Sequence, residues 1–147
     1  MKSQLSAKIT LWCNRTIFGI LCILVLLFPK LLHWYQQFRF LGLYGPTALT
    51  AGFYLCVPVV AYALYCIEKL IHNILRNQVF ISENVRFVRQ LRWCCALVSL
   101  ICIPVTVFYL PLIFMVVIMA FLALVVSVVK NVLAAAVEIR EENDLTV

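Results

Sequence analysis

The chain has 147 residues, 65% hydrophobic and 12% charged, and its mean hydropathy is +1.06. Soluble domains average about 45–50% apolar and about 25% charged, and they need polar residues to cover their surface. An ordinary soluble domain is therefore excluded, and much of this surface must face lipid. The net charge of +6 sits between apolar runs, where it sets topology rather than attracting nucleic acid.

Lys2, Lys8 and Arg15 precede an apolar run at 16–29. No small-x-small cleavage site follows it, so a first, uncleaved helix is expected over about 11–32. Arg15 and Lys30 lie near its ends, placed to snorkel to the headgroups. Residues 40–67 carry no charge over 28 positions, and spanning ~30 Å of hydrocarbon takes about 20 helical residues. Gly45-Pro46 marks the break, because proline favours the first turn of a helix, which puts a second span at about 47–67. Pro58 should kink it. Ala48, Gly52 and Cys56 recur every four residues as a stripe of small side chains, a face on which membrane helices approach closely.

Residues 68–92 are polar, with Lys69, Arg76, Arg86, Arg89 and Arg92 against Glu68 and Glu83. Ser82 is placed to cap a helix, and Glu83 in that first turn suits the helix dipole. Val85, Val88 and Leu91 then recur at helical spacing, with Arg86 and Arg89 off that line. This predicts a short amphipathic helix at the membrane surface, feeding the third span. The next 37 residues, 93–129, are uncharged. A single helix of that length would run about 55 Å, nearly twice the hydrocarbon core. Two spans, about 93–109 and 112–133, fit better, with a turn near Tyr109-Leu110-Pro111. Ala120, Ala123, Ser127 and Asn131 give the last span a small or weakly polar line. The tail, 134–147, is acidic.

The expected fold is all-α, an integral membrane four-helix bundle forming one domain. Ten of the twelve Lys and Arg fall at the two ends and in the middle loop; only Lys30 and Arg39 lie in the other connections. By the positive-inside rule both termini are cytoplasmic. Trp34, Tyr35, Phe38, Phe40, Tyr44 and Tyr109 suit the opposite interface, and Trp12 and Trp93 the inner one. The acidic tail then shares a side with the basic loop, where Glu138, Glu141, Glu142 and Asp144 can pair with Arg86, Arg89 and Arg92.

The sequence holds no phosphate loop, H-E-x-x-H or G-x-S-x-G. The seven cysteines mostly lie in apolar runs and read as small packing residues. His33 and His72 fall near opposite interfaces. No carboxylate sits mid-span, where one would suggest a proton or ion pathway. We therefore expect no enzymatic activity, catalytic residue, cofactor or metal site, and no direct nucleic-acid binding.

Two segments carry a resemblance. One is Val79-Phe80-Ile81-Ser82-Glu83-Asn84-Val85, followed by Leu91-Arg92; the other is the C-terminal stretch from Glu138-Ile139-Arg140-Glu141-Glu142-Asn143-Asp144 to Leu145-Thr146-Val147. With four helices and this length, the chain resembles the bacterial domain-of-unknown-function family 2975 over essentially its whole extent. Such proteins tend to have a glycine a few residues before the phenylalanine and another before the C-terminal motif; here the sequence reads Arg76-Asn77-Gln78 and Ala134-Ala135-Ala136. The tight turn and close packing implied by those glycines have no glycine to serve them. The resemblance implies a multi-pass protein of the bacterial inner membrane, often encoded beside a small helix-turn-helix transcription regulator of the Cro/CI type.

The leading expectation is a non-enzymatic regulatory protein that meets this regulator at a cytoplasmic face. Its candidate contact residues are Phe80, Ser82, Glu83, Asn84, Arg86, Arg89 and Arg92, with Glu138, Arg140, Glu141, Glu142, Asp144 and Leu145. The alternatives are a small transport or permeability component, which would need to oligomerise to enclose a path, and a protein of membrane stress or immunity.

Overall fold

A computed structural model describes residues 2–38 and 42–145. Arg39, Phe40, Thr146, Val147 and the side chains of Lys2 and Asp144, all used in the sequence reading, lie outside the described residues. The described chain forms four helices: α1 (Lys2–Phe38), α2 (Gly45–Leu75), α3 (Ser82–Thr106) and α4 (Leu112–Leu145). Each is long and apolar enough to cross a membrane. Pro46 stands in the first turn of α2, where its missing N–H is no loss. Pro29, Pro58 and Pro104 lie inside α1, α2 and α3, which continue past them.

Many large apolar side chains lie on the surface. Gly52, Cys66, Cys94, Val98, Ser99, Cys102 and Val105 are buried, while Trp12, Leu26, Phe114 and Phe121 are exposed. Lipid dissolves large apolar side chains as well as a protein core does, so helices associate through small residues and hydrogen bonds. Cys66, Cys94 and Cys102 serve this packing; Cys13 and Cys22 face outward.

Consecutive helices pack antiparallel, most extensively α3 on α4. Among the described residues, Cα atoms approach within 8 Å only between consecutive helices. The bundle expected from the sequence is therefore open, because α1 and α4 do not pack together. The sole buried described residue of α1 is Asn14; its remaining face is Leu- and Ile-rich and gains nothing by leaving lipid for another apolar helix. α1 is held to α2 by specific contacts. Asn14 Nδ2 donates to Leu64 O at 3.1 Å, and Tyr54 Oη donates to Val25 O at 3.2 Å. The rings of Phe28 and Phe53 stack at 3.9 Å.

Gly52 sits where α2 meets α3. A Cβ added there would lie 2.8 Å from Val105 Cγ2, so the small stripe does form a packing face at this point. On α4 the expected line is split. Ala123 and Ser127 are half-buried, whereas Ala120 and Asn131 are exposed.

No separate surface helix precedes the third span. Ser82–Arg92 forms the first turns of α3 itself, continuous with the apolar part. Ile81 holds the cap position without a side-chain bond, and Ser82 is the first residue inside the helix. The expected serine cap is thus not made.

The turn before α3 is built from asparagines. Asn77 has φ +59, its N–H bonds Ile74 O at 3.0 Å, and the Gln78 N–H bonds Asn73 O at 3.0 Å. Those two bonds around a left-handed residue define a Schellman ending of α2. Asparagine is the usual substitute for glycine in that conformation, which answers the missing glycine. Asn77→Gly should leave the thermal midpoint in detergent unchanged or raised. Asn77→Val should lower stability by about 1–2 kcal/mol, the cost of forcing a β-branched residue left-handed.

Candidate docking face

The start of α1, the end of α4 and the α2–α3 turn share one end of the molecule, as the antiparallel order requires. Both sequence motifs fall there. The first is the turn and the start of α3, and the second is the end of α4.

Asn84 organises the turn. It is 1% exposed, and its Oδ1 accepts from Asn73 Nδ2 at 2.8 Å. Its Nδ2 donates to the carbonyls of Gln78 and Val79, each at 2.8 Å. Asn84 was expected among the contact residues. It is withdrawn from any partner, because its amide is fully used in holding residues 73–79 against α3.

Two bonds fix the register of α4 on α3. Ser99 Oγ donates to Val116 O at 3.2 Å, and Arg92 Nη1 donates to Ser127 Oγ at 3.5 Å. In this register the start of α3 lies opposite residues near 136–137, and Val137 is buried. The stretch expected as a tail is helical to Leu145, so α4 extends about 12 Å past the start of α3 at 1.5 Å per residue. Glu138, Ile139, Arg140, Glu141, Glu142, Asn143 and Leu145 on this extension are exposed.

Of the other expected contact residues, Phe80, Ser82, Glu83, Arg86 and Arg89 are exposed. Arg92 is half-buried, with Nη1 3.5 Å from Ser127 Oγ and its guanidinium 5.3 Å over the Trp93 ring. The Ser127 contact joins α3 to α4.

Among the described residues, no ion pair links Arg86, Arg89 or Arg92 to Glu138 or Glu141. An ion pair forms elsewhere at this end, with Arg15 Nη2 on Glu68 Oε1 at 3.0 Å and Nε at 3.2 Å on the same oxygen. It ties α1 to α2 one turn beyond the Asn14 bond. Both side chains are well exposed, which puts such a pair at about 0–1 kcal/mol. The sequence reading missed Asn14; the signal was a lone amide inside an apolar run, costly in a membrane unless bonded. Among the described residues, no three His, Cys, Asp or Glu side chains converge to hold a metal ion.

Four helices long and apolar enough to cross a membrane, with many large apolar side chains exposed, define a multi-pass helical membrane protein. The chain belongs to the family described as Protein of unknown function (DUF2975), whose model matches residues 7–147. No curated protein and no solved structure matches it.

Proposed function

We propose that this protein is a non-enzymatic regulatory component of the bacterial inner membrane that holds a soluble partner at its cytoplasmic face. The helical extension of α4 past the start of α3, with Glu138, Arg140, Glu141 and Glu142 exposed, is the observation that carries this reading. Glu83, Arg86 and Arg89 add an exposed, oppositely weighted cluster at the same end. The cytoplasmic assignment follows from the Lys and Arg gathered at this end. The family resemblance supplies the partner class, a helix-turn-helix regulator.

The test is recovery of a helix-turn-helix regulator of the Cro/CI type on full-length protein in nanodiscs, compared with protein ending at Val137. Val137 is the last buried position among the described residues, so the truncation spares the packed part of α4. Loss of recovery is expected on truncation, and undiminished recovery would overturn this reading. Charge reversal at Arg86 and Arg89 should weaken recovery and make it less sensitive to salt, as for charges at an interface rim.

A further inference from the structure

The failure of α1 and α4 to meet leaves a groove bounded by all four helices. Its cavity is about 380 Å³, lined by Phe28 of α1, Gly52 and Cys56 of α2, Cys102 of α3 and Met115 and Met119 of α4, among others. That volume lies within the usual range for small-molecule pockets. The lining is almost wholly apolar.

We propose that this groove is a binding site for one acyl chain of a membrane phospholipid, entering sideways between α1 and α4. Water is a poor occupant, since a buried water needs two to four polar partners and the lining offers almost none. A helix of a second copy is too wide, because a helix with its side chains is about 10–12 Å across and the space is already walled by four helices. Among the described residues no Cα of α1 comes within 8 Å of one of α4, so the open side faces the bilayer, where acyl chains are the solvent. Leaving the space empty forfeits the dispersion contacts of its walls. Met115 and Met119 are flexible thioethers suited to a chain that changes shape.

The groove has an end as well as a side. Tyr35 Oη and Tyr109 Oη lie 3.0 Å apart in a hydrogen bond, with the rings edge to face at 6.2 Å. This pair joins α1 to the α3–α4 turn, beyond the Phe28 and Leu112 level of the groove. The tether lies about two helical turns past Phe28, given 1.5 Å per residue. The chain then runs from the level of Phe28 and Leu112 toward Leu21, Val60 and Met119, near the middle of the helices.

Full-length protein in nanodiscs doped with a phospholipid carrying a diazirine at the acyl terminus tests this, with adducts mapped by peptide mass spectrometry after irradiation. Adducts are expected at Leu21, Val60 and Met119. Moving the diazirine close to the glycerol should shift them to Phe28 and Leu112. Cys56→Phe and Met115→Trp each fill the groove and should abolish the deep adducts, while labelling at the exposed Ile20 and Val117 persists and reports an intact fold. Adducts confined to the exposed faces, deep labelling that survives both substitutions, or a pattern indifferent to the diazirine position would each overturn the proposal. The two-probe comparison uses unaltered protein and decides the matter even where a filled variant fails to fold.

Discussion

Replacing Asn84 with alanine should unfasten the α2–α3 turn and produce the largest loss of stability of any polar substitution in the molecule. The side chain makes three hydrogen bonds at 2.8 Å from a fully buried position. Truncation strands the Asn73 amide and the carbonyls of Gln78 and Val79 together. A buried polar group left unpaired costs about 1–3 kcal/mol, and part of that is recovered here where water reaches the exposed Gln78. A net loss of about 3 kcal/mol is the expected result, read as a lowered midpoint in denaturant titration in micelles. Limited proteolysis should accelerate within 76–81. Asn84→Asp should be no milder than alanine. It keeps the acceptor for Asn73 but presents a carboxylate oxygen to two carbonyl oxygens. An aspartate that matched wild type would show that the amide donors contribute nothing.

The second large effect is expected at Gly52. An added methyl would meet Val105 Cγ2 at 2.8 Å, closer than carbon atoms pack. Valine is held in one rotamer on a helix, so the clash is relieved by moving α2 away from α3 rather than by turning a side chain. Overpacking of this kind costs about 1–3 kcal/mol, and Gly52→Leu should exceed Gly52→Ala. Val105→Ala removes the opposing methyls, so Gly52→Ala/Val105→Ala should be more stable than Gly52→Ala alone. Thermal unfolding of the four proteins closes a double-mutant cycle, and additive effects would exclude a direct clash.

The parts of the fold written along the chain were legible, and those written between helices were not. Four helices follow from uncharged stretches, because apolar length is a local property of sequence. The openness between α1 and α4 depends on which faces pay for leaving lipid, and Leu and Ile on α1 look the same whether they meet lipid or a neighbour. Small residues gave a mixed result for the same reason. Gly52 meets Val105, whereas Ala120 and Asn131 are exposed.

The candidate face was half legible. Ser82 has the side chain of a cap but stands one residue inside the helix, and Asn84 two residues on holds the turn by donating to carbonyls of the preceding segment. Reading that needs the path of residues 73–79 in space. Asn84 and Arg92 are polar residues in a polar segment, and nothing local separates them from Arg86 and Arg89, which face outward. Likewise Asn77 replaces a glycine without loss of the turn. Glycine was one residue meeting a backbone requirement that asparagine also meets.

α4 is one unbroken helix from Leu112 to Leu145, about 50 Å long at 1.5 Å per residue. Met115 and Met119 sit near one end and Glu138 to Leu145 form the other. A continuous helix behaves as a stiff rod, so its two ends cannot change posture independently. Leaning it by ten degrees about the apolar end carries the far tip sideways by about 9 Å, given that length. Any small displacement of α4 within the bilayer is thereby magnified outside it, as with the pointer of a gauge.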